Sequence, residues 1–208
     1  MTRSPLRTET VLREAVAYAD ESGGVPSMRK IAERLGVEAM SLYHHFRNKD
    51  LILDGMVDHV FAEIEPPPPA TEWRAALGHH AASMRDVLVR HPWAIGLMDS
   101  RGRPGPATLR RHDGVLGLLR ANGFPVAGAA HAVSALDSYV YGFVLQELSL
   151  PFATAGELDE VASGILDAVG EEYPHLAELI AHRNAHSPAV EFGAGLDLVL
   201  DGLERWRA

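Results

Sequence analysis

Ser27–Leu53 reads SMRKIAERLGVEAMSLYHHFRNKDLIL. Ser27 is an N-cap residue ahead of a short helix, Met28 to Leu35, in which Met28, Ile31, Ala32 and Leu35 share one side. Gly36 follows where a left-handed residue ends a helix, because it lacks the Cβ that such a backbone crowds. A second short helix is predicted from about Glu38 to His45, and Asn48 is placed to cap a longer one. That longer helix carries Leu51, Leu53, Met56, Val57, Val60, Phe61 and Ile64 as its apolar residues. Two helices of about two turns joined by a tight glycine turn make a helix-turn-helix. Ile31, Ala32, Leu35, Val37 and Leu42 must face inward to lock the pair, which leaves Ala39, Met40, Ser41, Tyr43 and His44 facing out. So short a helix does not stand alone in water, so it is expected as a docked element presenting a face.

That face mixes small, apolar and hydrogen-bonding residues, where a merely solvated helix would carry lysine and glutamate. Ser41 and Tyr43 are suited to donate to phosphate oxygens, and Ala39 and Met40 to touch a thymine methyl. His44 or His45 is suited to a base edge or a phosphate, and Arg29 to a guanine or a phosphate. Lys49, in the first turn of the next helix, offers an ammonium group beside backbone N–H groups that favour an anion. With the cap Ser27, these residues form the expected surface for double-stranded DNA.

Upstream, Val11, Leu12, Ala15, Val16 and Ala19 form one stripe of a helix from about Thr8 to Ser22, ended by Gly23-Gly24. Downstream, Pro66-Pro67-Pro68-Pro69 is a stiff interhelical loop. Further helices are predicted near 71–90, 92–99, 106–122, 126–149, 156–170, 175–186 and 189–206, with Ser100–Pro106 the most flexible interior stretch. No run of alternating β-branched residues occurs, so the fold class is all-α.

The net charge of −9 argues against nucleic acid until the chain is divided. Residues 1–50 hold eight Lys/Arg against seven Asp/Glu, whereas the remainder holds eleven against twenty-one. The acidity belongs to the second part, and the first is left able to approach phosphate. The absence of cysteine excludes disulfides and thiol chemistry. Residues 1–24 lack the apolar run of a signal peptide, and no segment approaches the roughly eighteen apolar residues of a membrane span. The expectation is a cytoplasmic protein without a membrane partner.

Gly36-Val37-Glu38, Ser41-Leu42-Tyr43, Phe46 and Asn48-Lys49-Asp50-Leu51-Ile52 resemble, in order and spacing, the DNA-binding domain of the TetR family of bacterial regulators. Arg103-Pro104, Gly123-Phe124 and the closing Phe192-Gly193, Gly195-Leu196-Asp197-Leu198 and Leu200–Glu204 are similar to the C-terminal domain of its tetracycline-repressor branch. The resemblance implies a helix-turn-helix DNA-binding domain over 1–65, including the linking fourth helix. It also implies a helical-bundle domain for ligand binding and dimerisation over 66–208, whose last two long helices pair across a two-fold axis. Gly128, Ala129, Ala132, Ala135 and Gly142, with Leu196, Val199, Leu200 and Leu203 on the last helix, are the residues expected to support that homodimer. The implied activity is ligand-responsive transcriptional repression, released by a small-molecule effector. Tetracycline repressors place histidines in the drug pocket where this chain has Glu65 and Asp99, which implies a different ligand.

For the effector, Met84, Trp93, Met98, Leu116, Tyr139 and Phe143 are the candidate cavity lining, with Asp99, Arg103 and Glu147 as polar contacts. No cofactor or metal is expected. His79 and His80 are adjacent and point to different sides of a helix, and His182 and His186 lack the acid of an HExxH zinc motif. No GxSxG, GxGxxG or P-loop occurs, so an enzyme is not expected.

Overall fold

The computed structural model describes residues 6–68, 72–98, 103–149, 160–166, 172–181 and 187–207; Asp99, His182 and His186 lie outside them. Among the described residues there are helices and turns and no strand. The helices are α1 (Thr8–Ser22), α2 (Met28–Leu35), α3 (Ala39–Tyr43), α4 (Lys49–Glu63), α5 (Trp73–Arg90), α6 (Pro92–Met98), α7 (Pro106–Ala121), α8 (Val126–Ser149), α9 (160–166), α10 (Pro174–Ala181) and α11 (Pro188–Leu203). A 3₁₀ turn over Glu204–Trp206 closes the chain. No described helix is long and apolar enough to cross a membrane.

The caps set the first boundaries where the sequence placed them. Ser27 accepts the Lys30 N–H at 3.2 Å, and Asn48 Oδ1 accepts the Leu51 N–H at 3.0 Å. Gly36 stands at φ 61°, and its position lets the Val37 N–H return to the Ala32 carbonyl at 3.0 Å. The second short helix is tighter than expected, with Glu38 as its N-cap and His44-His45 in the turn that carries Phe46 back into the core.

One continuous core runs through the molecule, and α4 lies at its centre, packed against α1 on one side and α6 and α7 on the other. Contact on two sides explains its broad buried strip: Ile52, Leu53, Met56, Val57, Val60 and Phe61. It also corrects one assignment. Leu51 is 36% exposed and Ile52 takes its place in the core, because the Asn48 cap starts the helix with Leu51 in the open first turn.

Polar bonds fasten α1 and α4 to the junction of α5 and α6. Asp20 of α1 accepts the Trp93 indole N–H at 2.7 Å and lies 2.7 Å from His91 Nδ1. His91 Nε2 lies 3.3 Å from Glu63 of α4, which also accepts from Arg90 at 2.7 Å. Those bonds to Arg90 and His91 hold the Glu63 carboxyl below its usual range, against the opposing effect of its partial burial.

On the far side, α8 packs against α5, α7 and α11. Tyr139, Phe143 and Phe192 form an aromatic cluster, and the Tyr139 hydroxyl donates to the Phe192 carbonyl at 2.6 Å. Arg85 lies over the Phe143 and Phe192 rings and bonds Glu147 at 2.5 and 2.9 Å. Most of the small-residue stripe expected between subunits is spent inside this chain. Gly128, Ala129, Ala132, Leu196, Leu200 and Leu203 are buried by its own helices, because α11 folds back onto α8. Among the apolar residues that α11 leaves exposed, Val190, Ala194 and Leu198 form a stripe at i, i+4, i+8, with Leu198 75% exposed.

Candidate nucleic-acid interface and interhelical cavity

The α2–α3 pair is held from within by Ile31, Ala32 and Leu42. Leu42 is the single buried residue of α3, and Phe46 just beyond it is buried as well. A five-residue helix pinned at one point keeps its opposite face open. Met40 is 69% and Tyr43 44% exposed, and His44 and His45 are exposed beside them. Ser41 and Ala39 are half-buried, and Ala39 packs against the core as well as bordering this face. The exposed part of α3 is therefore Met40, Tyr43, His44 and His45, with Ala39 and Ser41 at its base. A helix this short spans about 7.5 Å, well within a major groove about 12 Å wide.

The cations divide into two sets. Arg34 lies across the surface toward α1, bonded to Glu14 and to Glu21 (2.5 and 3.0 Å), with its guanidinium 5.7 Å from the Tyr18 ring centre. These carboxylates raise the Arg34 pKa, so this cation fastens α2 to α1. Arg29 at the start of α2 and Lys49 at the start of α4 are exposed. Arg47, which no motif in the sequence singles out, is a third exposed cation, on the α3–α4 connection next to the Asn48 cap.

A cavity of about 550 Å³ lies between α4, the end of α6, the start of α7 and α8. Val57, Phe61, Met98 and Pro104 give it an apolar flank. To the same lining α8 contributes Ser134, Asp137, Ser138 and Tyr141, polar residues at i, i+3, i+4 and i+7 of one helix. Thr108 and His112 of α7, Asp54 of α4 and Arg103 complete the polar lining. Behind this wall Arg111 is buried, forked onto Asp137, 5.4 Å from the Phe61 ring centre and 3.2 Å from Met84 Sδ. His80 is buried close by. Its Nδ1 lies 2.7 Å from the Glu65 carbonyl, so the proton sits there, while Nε2 has no partner among the described residues. Burial holds this ring neutral, with its pKa lowered to about 4.

Of the nine residues expected at the effector site, Met98 and Arg103 line the cavity and Asp99 lies outside the described residues. Met84 stands behind it as a partner of Arg111, and Leu116 packs half-buried on α7. Trp93 points to Asp20 of α1, and Tyr139, Phe143 and Glu147 belong to the α8–α11 contact. The α8 residues that line the cavity without having been singled out carry a signal in the sequence: a polar stripe at helical spacing inside a 24-residue helix that has no Lys or Arg. Glu65, at a position matching a tetracycline-pocket histidine by resemblance, bonds His79 at 2.6 Å and is not among the lining residues.

Two family profiles match the chain. The one described as "Bacterial regulatory proteins, tetR family" covers residues 24–56, and the one described as "Tetracyclin repressor-like, C-terminal domain" covers 65–207. An HTH-type transcriptional regulator of Saccharopolyspora erythraea is 38% identical over 148 residues, 70% of this chain and 63% of that one. The class A tetracycline repressor protein from transposon 1721, of Escherichia coli, is 31% identical over 207 residues, 97% of this chain and 92% of that one. Among solved structures, Streptomyces coelicolor ActR in complex with actinorhodin superposes with a TM-score of 0.83 at 26% identity, covering 97% of this chain and 98% of that one.

Proposed function

Because the chain belongs to the TetR family of bacterial regulatory proteins, we propose that it is a homodimeric, cytoplasmic transcriptional repressor, released from operator DNA by a small-molecule effector. The observation that carries this reading is the geometry of α3: one buried anchor, Leu42, and an open face of Met40, Tyr43 and His44, with Arg29, Arg47 and Lys49 exposed on the adjoining elements. In this reading residues 1–65 form the DNA-binding domain and 66–208 the effector-binding and dimerisation domain. Tyr43, Ser41 and Lys49 hold the phosphate backbone, and Met40 and Ala39 meet base edges. The stripe Val190, Ala194 and Leu198 on α11 supports pairing with a second copy, which places two α3 helices on half-sites about 34–36 Å apart.

The cavity supports an effector with one apolar flank and several hydrogen-bond donors. Val57, Phe61, Met98 and Pro104 would cover the flank, while Asp54, Asp137 and the α8 hydroxyls would take the donors. That the related ActR has been solved with actinorhodin supports a ligand in this family's scaffold other than tetracycline. A ligand that lowers operator affinity a hundredfold must favour the released state by about 2.7 kcal/mol.

A salt-titrated binding assay of the purified protein on its own upstream DNA tests the reading. Saturable binding as a dimer that weakens steeply with salt is the expected result. Absence of specific binding there, and after selection from random DNA, would refute it.

A further inference from the structure

α7 opens Gly105-Pro106-Ala107-Thr108. Gly105 stands at the N-cap with no side chain to accept a bond, and Pro106 has no N–H to offer. The donors left at the start of α7 are the N–H groups of Ala107 and Thr108, and one carboxylate from α4 takes both. Asp58 Oδ2 accepts from Ala107 at 3.2 Å, and Oδ1 accepts from the Thr108 N–H at 2.9 Å and its hydroxyl at 3.0 Å. Gly105 is the complement of this arrangement: a Cβ there would overlap the Asp58 carboxyl group. The carboxylate of one helix thus occupies the place of the other's missing cap.

The joint lies in the cavity wall. On α4, Asp54 and Val57 line the cavity beside Asp58, and on the α7 side Arg103, Gly105 and Thr108 line it. The other end of α4 carries Asn48 and Lys49, about 15 Å away along one unbroken helix. We propose that Asp58 is the positioning residue that couples occupancy of the cavity to the DNA-reading helices. With the cap closed, α4 is held against α7 in the operator-fitting position. A ligand that parts the start of α7 from α4 opens the cap and frees α4 to swing. This inference rests on the repressor reading of the protein. Asp58 itself is not among the residues that line the cavity.

The test separates coupling from mere stability, using the full-length dimer. Asp58→Ala removes the cap; Asp58→Ala with Gly105→Ser gives α7 a cap of its own. The backbone at position 105, φ −79° and ψ 174°, already suits an N-cap serine, and the loss of the carboxyl clears its space. Operator affinity by fluorescence anisotropy and thermal midpoint are measured for wild type and both variants. Asp58→Ala is expected to lower the midpoint and weaken operator binding about tenfold or more. In the double variant the midpoint recovers and the operator affinity does not. Asp58→Asn, which keeps one acceptor oxygen, should fall between wild type and Asp58→Ala, and serves if Asp58→Ala fails to fold. Wild-type operator affinity in Asp58→Ala or Asp58→Asn, or affinity that returns together with the midpoint in the double variant, would overturn the proposal. A wild-type protein that binds no DNA would instead overturn the repressor reading itself, before any variant is compared.

Discussion

Replacing Lys49 by alanine removes one exposed ammonium group from the start of α4, hence two from a dimer seated on both half-sites. Its neighbour Asn48 keeps the helix capped, so the change alters charge with little effect on the fold. Each neutralised phosphate contributes about 0.9 to the slope of log K against log salt, so losing two flattens the line by about 1.8. Between about 50 and 200 mM salt, a fourfold range, a slope difference of 1.8 narrows the gap between wild type and variant by roughly twelvefold. The variant should therefore bind markedly worse at low salt and approach wild type at high salt. Anisotropy titrations of labelled operator at five salt concentrations read both slopes directly. Parallel lines would mean that Lys49 meets no phosphate, and the placement of the α4 start against the DNA backbone would have to be abandoned.

Leu42→Ala removes the one buried residue of α3 and should lower stability by about 2–5 kcal/mol while abolishing operator binding, read by urea unfolding alongside anisotropy; undiminished operator affinity would show that α3 is not the reading element. His80 is neutral in the fold with its pKa lowered to about 4, whereas in the unfolded chain it titrates near the ordinary value of 6.5, so only the unfolded state takes up a proton between those values. Stability should thus fall as pH drops from about 6.5 to about 4, and His80→Asn, which keeps a donor toward the Glu65 carbonyl, should flatten that stretch of the urea midpoint–pH profile; an unchanged slope would assign the acid sensitivity elsewhere. Ser138→Phe places a ring in the cavity, so compounds that raise the wild-type thermal midpoint should lose that effect while operator binding persists. Retained thermal shifts in that variant would locate the effector outside this cavity.

The α1–α4 unit was legible along the chain. The bounds of α1 and α2, the Gly36 turn, the Asn48 cap and the outward Met40 and Tyr43 all come from interactions within four or five residues of each other. Caps, a left-handed glycine and helical periodicity are local, so they can be read along the chain. Periodicity also made α8 and α11 helices, but it could not say which neighbour covers which face. α8 meets α5, α7 and α11, so Tyr139 and Phe143 went to α11, while Ser134, Asp137, Ser138 and Tyr141 went to the cavity. Trp93 found Asp20, and Leu196, Leu200 and Leu203, expected between subunits, were buried within one chain. The cavity joins Asp54 to Tyr141, and the cap on α7 comes from Asp58, about fifty residues upstream. Such contacts arise from the packing of several helices into one core, where every face competes for the same neighbours. Only the tertiary structure settles that competition.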